Sequence, residues 1–266
     1  MGLFSNLFGK KSNEEEKEDK TIFFAKQDEL MKEAIKNAQQ NFKYFWRELY
    51  WEYRRIVPAH DFAMIKMPFE QQVERHTEPL VEHMWINNIN FDGKIISGEL
   101  VNDPNQLTNI TKGDIISTEV DKIDDWMISI NGKTLGGYTI QLMRSGMGDK
   151  ERKGHDQAWG LDFGDYNEVL LVHQQKEKPE NLVEHPMSKN MADKTREFLK
   201  ENPDEISFID KNGFTLLHKE AIAGNSTTIE ILLELGADKT IKSNSNKTAS
   251  NYAALMAWDH LNDILN

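Results

Sequence analysis

Histidines and carboxylates gather between residues 155 and 173. His155, Asp156, Asp162 and Asp165 fall within eleven positions, with Glu168 and His173 just beyond. Such groups suit zinc, manganese or iron. Two histidines eighteen residues apart match no diagnostic ligand spacing, however, and no HExxH is present. The reading is capping or surface groups, with no metal and no cofactor. The second candidate is Asp124-Asp125-Trp126, a Trp after acidic residues at a strand start. It would cap a groove with Trp126, Tyr138 and Trp85 lining one face. Arg144, His155 and Trp159 complete a candidate binding set with Trp85, Asp125, Trp126 and Tyr138. Trp and Tyr anchor interfaces, but a Trp in a small sheet is also ordinary core, its ring N–H bonded to backbone.

Nucleophilic catalysis finds no support. Ser97-Gly98 and Ser145-Gly146 are not GxSxG elbows. Gly132-Lys133-Thr134 has Met127 where a P-loop needs glycine. The chain has no cysteine, which removes thiolate nucleophiles, disulfides and Cys-ligated zinc. No catalytic residue is assigned. Arg144, Lys150, Arg152 and Lys153 are interleaved with Asp149 and Glu151, which reads as a solvated face.

The elements that must position these residues follow from periodicity. Met31, Ile35, Ala38, Phe42, Phe45, Leu49 and Tyr53 recur every three or four residues, predicting one long helix over 27–55. Val57-Pro58 ends it. Strands are predicted at 62–67, 83–89, 95–101, 115–120 and 126–130, with Asp92-Gly93 as a hairpin turn. Residues 138–143 fit a short strand or helix, and 145–155 a loop with a helical turn. Val169–Val172 fits one more buried strand. The expected fold is α+β: a long N-terminal helix on a small curled antiparallel sheet or barrel. Residues 1–20 read as a flexible tail, 21–188 as the α+β domain with an extension, and 189–266 as a separate helical part. In the tail, Leu3, Phe4, Leu7 and Phe8 make at most two amphipathic turns, too few for stable membrane anchoring.

The helical part holds the most specific pattern. Asp210-Lys211-Asn212-Gly213-Phe214-Thr215-Leu216-Leu217-His218 leads to Ala221, Gly224, Leu232 and Leu235-Gly236-Ala237-Asp238. This closely resembles an ankyrin repeat, with its Thr-Pro-Leu-His-x-Ala signature and 33-residue period. The resemblance implies structural roles for Gly213, Thr215, His218, Ala221, Gly224, Leu232 and Gly236, with the histidine hydrogen-bonding across the turn. A step of 33 carries Thr215 to Thr248, Ala221 to Ala254 and Leu232 to Leu265, and backwards to Leu199. About two and a half units result. Three departures stand out: Leu216 for Pro, Glu220 for a small residue, and Asn251 for the second histidine. Since solenoid units normally need at least three, the array is expected to lean on the first part through Phe198 and Leu199.

Residues 80–170 carry a second resemblance. His83-Met84-Trp85-Ile86, Phe91-Asp92-Gly93, Asn102-Asp103-Pro104, Ile123-Asp124-Asp125-Trp126 and Gly136-Gly137-Tyr138-Thr139 resemble the bacterial YegJ-like domain of unknown function. That resemblance implies no assigned activity.

The net charge is −12, with −3 falling in residues 189–266 and −9 before them. A phosphate-binding surface needs clustered Lys and Arg, so nucleic acid is disfavoured. The expectation is a cytoplasmic bacterial interaction protein, an adaptor or toxin-immunity protein with a basic protein partner. The alternative is an enzyme or small-molecule binder with its site near Trp126, Tyr138 and His155.

Overall fold

A computed structural model describes residues 15–74 and 77–266, with side chains from residue 28 onward. The apolar start of the tail lies outside the described residues. Glu15–Lys20, read as tail from their charge, are helical. Helix α1 spans Glu15–Gln40 and α2 spans Phe42–Glu52. The expected single helix is therefore broken at Asn41, whose side-chain amide donates back to the Asn37 carbonyl at 2.9 Å. Helix α2 stops before Val57-Pro58. The Glu52 carboxylate accepts the Ala59 and His60 backbone N–H groups at 2.8 and 3.1 Å and folds the chain back. No described helix is long and apolar enough to cross a membrane.

Six strands follow: β1 (Phe62–Gln71), β2 (Leu80–Phe91), β3 (Ile95–Leu100), β4 (Ile115–Glu119), β5 (Asp125–Ile130) and β6 (Lys133–Gly136). They form an open sheet of order β4-β3-β2-β1-β5-β6 with every neighbour antiparallel. It is a sheet with two edges, not a closed barrel. Asp92 makes the β2–β3 turn by accepting the Lys94 and Ile95 N–H groups at 2.9 and 2.7 Å. Asn131 and Gly132 both have positive φ, 51° and 74°. That is the signature of a two-residue hairpin turn, so it returns the chain into β6, a strand that periodicity alone did not show.

Residues 138–143, which fit a strand or a helix, lie in α3 (Tyr138–Ser145). Two segments differ from their sequence reading. The polar stretch after α3 carries α4 (Asp149–Trp159), more than one helical turn. Val169–Val172 is not a strand. The short edge strand β6 takes only a bridge to Asp162 and one bond from Gly136 N to Leu170 O, at 2.8 Å, and no ladder forms.

The sheet has two apolar faces. On one, Phe42, Phe45, Trp46 and Leu49 of α2 pack on Ile65, Ile86, Trp126 and Ile128 in the main core. On the other, Met127, Ile140 and Phe163 form a smaller cluster with Trp85, Met143 and Trp159 at its margin.

The remaining helices are α5 (Pro186–Asn190), α6 (Ala192–Glu201), α7 (Asp204–Ser207), α8 (Leu216–Ala223), α9 (Ser226–Glu234), α10 (Ala249–Leu255) and α11 (Asn262–Leu265). Local geometry recurs here at 33 residues. Thr215 and Thr248 cap α8 and α10 with nearly identical dihedrals, and His218 and Asn251 complete the same capping box. Gly213 and Asn246, and Gly224 and Ala257, pair as left-handed residues at that spacing. His218 Nδ1 accepts the Thr215 N–H at 3.1 Å, while Nε2 faces the Lys247 carbonyl at 3.1 Å.

Candidate functional site

The sheet divides the seven candidate binding residues. In the β1–β2 and β1–β5 registers, Ile65 lies opposite Trp126 and the next residue, Lys66, opposite Trp85. Successive side chains on a strand point to opposite faces. Trp126 is fully buried, donates its indole N–H to the Ala38 carbonyl at 2.9 Å, and sits 5.8 Å from the Phe45 ring and 6.0 Å from Tyr138. Trp85 belongs to the cluster on the far side. No groove is lined by Trp85, Trp126 and Tyr138 together. Gly136 crosses so close to Trp126 that a Cβ would lie 2.3 Å from its carbonyl oxygen, with φ at +73°.

Asp125 is also fully buried. Its carboxylate accepts the Tyr138 N–H at 3.0 Å, the Thr139 N–H at 2.7 Å and the Thr139 hydroxyl at 2.6 Å. It caps α3 from a neighbouring strand and satisfies donors a helix start leaves open. Burial raises the Asp125 carboxyl above its ordinary value despite these bonds. Burial, then the nearby Asp125, push the Tyr138 phenol up as well.

Arg144, His155 and Trp159 do meet. Arg144 is bidentate to Asp156, with Nε–Oδ1 at 2.9 Å and Nη2–Oδ2 at 2.7 Å. His155 Nδ1 lies 2.9 Å from Asp156 Oδ1. His155 and Trp159 both pack on Phe163, at 5.4 and 6.0 Å. Burial opposes ionisation of Asp156, but Arg144 and His155 outweigh it and hold the carboxyl below its usual value. Arg144 also reaches the Gln141 side chain and the Gly164 carbonyl. This set ties α3, α4 and residues 163–164 together. Arg152 of the basic run donates to the Arg144 and Met147 carbonyls at the end of α3. Among the described residues, no group of three or more His, Asp or Glu is arranged to hold a metal.

The residues that sequence reasoning missed lie where α2 meets the C-terminal helices. Glu220 is 0% exposed. It accepts the Tyr50 hydroxyl at 2.8 Å, Arg54 Nη2 at 2.5 Å and the Asn225 amide at 2.7 Å. Asn225 in turn accepts the Trp51 indole N–H at 3.0 Å. The departure of Glu220 from a small residue was the available signal: it is the anion onto which α2 docks. Burial lowers the Arg54 guanidinium, but Glu220 outweighs it and the net shift is upward. Burial and Glu220 together push the Tyr50 phenol well up.

A second buried set lies alongside. Arg47 donates to the Leu182 and Asn181 carbonyls. His185 Nδ1 accepts the Met187 N–H, which leaves Nε2 protonated toward Glu48 at 3.3 Å. Burial opposes ionisation of Glu48, but His185, Arg47 and His60 keep its carboxyl below the ordinary range. Glu184 accepts the Thr227 N–H at 2.7 Å and so caps α9. Phe198, expected to carry the contact between the two parts, is 51% exposed, whereas Leu199 is buried. One apolar cluster, Leu199 included, runs across both parts, with Tyr44 edge to face on Trp258 at 5.5 Å, and the polar groups of Tyr50, Trp51 and Arg54 add to it.

A family model described as "Uncharacterized protein conserved in bacteria (DUF2314)" matches residues 28–163, about half of the chain. The chain belongs to the DUF2314 family. A protein of Neisseria meningitidis serogroup B named "Putative ankyrin repeat protein" is 47% identical over 248 residues, covering 93% of this chain and 97% of that protein. The "Uncharacterized protein YegJ" of Escherichia coli K12 is 28% identical over 112 residues, covering 42% of this chain and 65% of that protein. No solved structure matches. The DUF2314 region thus contains α2, the sheet and the whole Arg144–Asp156 pair. Glu184, His185, Glu220 and Asn225 lie beyond it. The α2 surface and the β2–β3 turn of the DUF2314 region both meet the C-terminal helices, the turn at Gly93, where a Cβ would lie 2.7 Å from the Tyr252 ring.

Proposed function

We propose that this chain is a protein-interaction protein in which the DUF2314 sheet and ankyrin-type C-terminal units form one docking body. The 33-residue recurrence of caps and left-handed residues supports the ankyrin-type reading. So does the name of the Neisseria relative. The observation that carries the proposal is a cleft of ≈ 820 Å³ at the end of α2. Ile56, Val57, Met187, Met191, Phe198 and Leu199 give it an apolar lining. Ile56, Val57 and Phe198 are 100%, 76% and 51% exposed. Clustered exposed apolar side chains mark interaction sites.

The charges of the lining select the occupant. Arg54, Arg55 and Lys194 border the cleft; Arg54 and Arg55 are already paired with Glu220 and Glu52, so Lys194 is the cation it offers most directly. The net charge of −12 favours a basic protein at long range. Local complementarity sets register and discrimination more strongly, and it favours an amphipathic segment with carboxylates beside its apolar face. Fluorescence anisotropy with two labelled helical peptides tests this, one presenting Glu and one Lys beside the same Leu/Phe face. The Glu peptide is expected to bind about tenfold more tightly, a difference of about 1.4 kcal/mol, and Phe198→Asp to abolish binding. Equal binding of both peptides, or binding indifferent to Phe198→Asp, contradicts the proposal.

A further inference from the structure

The two edges of the sheet end differently. On β6, Thr134 and Gly136 donate their backbone N–H groups to the Asp162 and Leu170 carbonyls at 3.0 and 2.8 Å. On β4, at the other end, no other described segment bonds the outer side. The bonds of β3 show which groups this leaves open. Val101 N–H donates to the Trp85 carbonyl at 2.9 Å, on the β2 side, and Leu100 N–H to the Asp114 carbonyl at 3.0 Å. Backbone groups alternate in direction along a strand, so Ile96, Gly98 and Leu100 face β4. Their register partners Thr118 and Ile116 face back toward β3. Ile115, Ser117 and Glu119 therefore present their N–H and C=O groups outward. Among the described residues, these groups meet only the Thr118 hydroxyl, 3.5 Å from the Glu119 carbonyl, which leaves that oxygen a lone pair. Ile115 is 74% exposed, and Ser117 is exposed as well. Edge strands are commonly guarded by Lys or Pro. Ile115-Ile116-Ser117-Thr118-Glu119 contains neither.

The strand ends at a cavity. Glu119 and Val120 border a hollow of ≈ 610 Å³ beside the β2–β3 turn and the end of α10. Phe42, Phe91, Val120, Leu255 and Met256 give it apolar walls. Leu255 is 58% exposed. The cations at its border are engaged: Lys94 pairs with Glu119 at 3.1 Å, and Lys43 donates to the Ala257 carbonyl at 2.7 Å. Glu119 belongs to both features, so the open edge runs directly into the apolar hollow.

We infer that β4 is a strand-addition site for an extended segment of a partner protein, antiparallel to β4, with a large apolar side chain near the segment's N-terminal end filling the hollow. The direction follows from the topology. Every neighbouring pair in this sheet is antiparallel, and β4 runs from Ile115 toward the hollow, so an antiparallel segment begins there. Main-chain bonds at Ile115, Ser117 and Glu119 supply affinity, and the hollow supplies specificity. A second copy of the chain fits badly. The two-fold register that uses all three open residues is centred on Ser117 and sets Asp114 of one copy beside Val120 of the other, a carboxylate at an apolar hollow. Two chains of charge −12 also repel, whereas a segment bearing Lys or Arg is attracted.

Amide hydrogen exchange by NMR and fluorescence anisotropy on the full chain test this. In the free chain the Ile116 and Thr118 amides are expected to exchange slowly, and those of Ile115, Ser117 and Glu119 fast. The probe is a labelled peptide of alternating Val and Thr with one Lys and an N-terminal Phe. Its binding is expected to slow exchange at the three open amides. The reversed peptide, with Phe at its C-terminal end, is expected to bind about tenfold more weakly. N-methylation of every second peptide amide should abolish binding in one frame and spare it in the other. Ser117→Pro removes an outward donor and leaves the β3–β4 bonds intact, and it is expected to lose the peptide. Leu255→Asp, at an exposed position, is expected to weaken binding about tenfold, so the test survives if Ser117→Pro does not fold. Slow exchange at the three open amides in the free chain would mean that residues 1–14 or a second copy already cover the edge, and it overturns the proposal. So does absence of binding, equal binding of the reversed peptide, or equal effects of the two methylation frames. Unchanged affinity in Ser117→Pro or Leu255→Asp overturns it too.

Discussion

Two arginine–carboxylate pairs, in two regions, are near mirror images. In Arg54–Glu220, at 2.5 Å, the anion is the sealed member, with side-chain exposures of 33% and 0%. In Arg144–Asp156, at 2.7 Å, the cation is sealed, with exposures of 3% and 25%. Their reach differs more than their chemistry. Arg54 and Glu220 are 166 residues apart and join the DUF2314 region to the C-terminal helices. Arg144 and Asp156 are 12 residues apart and stay within one corner of the fold. A buried charge is strongly destabilising once its partner is removed. In the first region that penalty is shared between two parts of the molecule, and in the second it is local. The first pair should therefore govern cooperativity, and the second only the height of the transition.

The largest expected effect follows. Glu220→Ala leaves Arg54, the Tyr50 hydroxyl and the Asn225 amide without their acceptor. A loss of about 3–5 kcal/mol is expected. Calorimetry should show the single transition separating in two, with the C-terminal helices melting first. A single, barely shifted transition would refute the coupling. A fragment of residues 189–266 loses the α2 contacts to Glu220, Asn225 and Trp258 and should show no cooperative thermal transition. A sharp transition in that fragment would sink the claim of dependence.

Asp156→Ala tests the other side. Arg144 loses both bonds to Asp156 but keeps those to Gln141 and Gly164, so a loss of about 3 kcal/mol is expected, the lower end for a buried charge left without its partner. Urea denaturation should show one transition with an unchanged slope. A split transition there would erase the contrast between the regions.

Much of the scaffold was legible because its signals are local. Asp92-Gly93 marks a turn through the side-chain oxygen of Asp92, and the 33-residue step shows the recurring caps at Thr215 and Thr248. What stayed open and what was misread have a common cause. Periodicity leaves 138–143 between strand and helix, and Asp125 of the neighbouring strand decides it by capping α3. Val169–Val172 has the composition of a strand but meets an edge strand too short to build a ladder. Trp85 and Trp126 look equivalent in sequence, and only the strand register puts a sheet between them. Glu220 was visible as an anomaly, but Tyr50 and Arg54 were hidden in and beyond an aromatic stripe that reads as core. Pairing across 166 residues leaves no local trace.

Acid should separate the regions again. Burial holds the imidazoles of His60, His218 and His260 below their ordinary value. A lowered folded value means that the unfolded chain binds the proton more readily. Their stabilising contribution is present above the unfolded value of about 6.5 and is lost as the pH falls through it. His218 caps α8 and His260 faces the Gly224 carbonyl, so two of the three act on the C-terminal side. Asp125 works in the opposite sense on the sheet side: burial raises its carboxyl, so its cost at neutral pH is relieved as the pH falls. Between pH 7.5 and 5.5, hydrogen exchange should quicken in α8 and α10 before the central strands. Faster exchange first in β1 and β5 would contradict this assignment.

The smallest effect is the sharpest control. Lys94 and Glu119 form a third pair at 3.1 Å, across the β3–β4 edge, with side-chain exposures of 68% and 45%. Its distance is close to those of the other two pairs, so pairing alone would predict a comparable loss on truncation. Exposed pairs recover hydration when broken, and the freed side chain regains rotamers. Lys94→Ala is therefore expected to change stability by no more than about 0.5 kcal/mol in urea denaturation, and less at high salt. A loss as large as that of Asp156→Ala would mean that contact, not burial, sets the scale, and the contrast between Glu220 and Asp156 would then need a different cause.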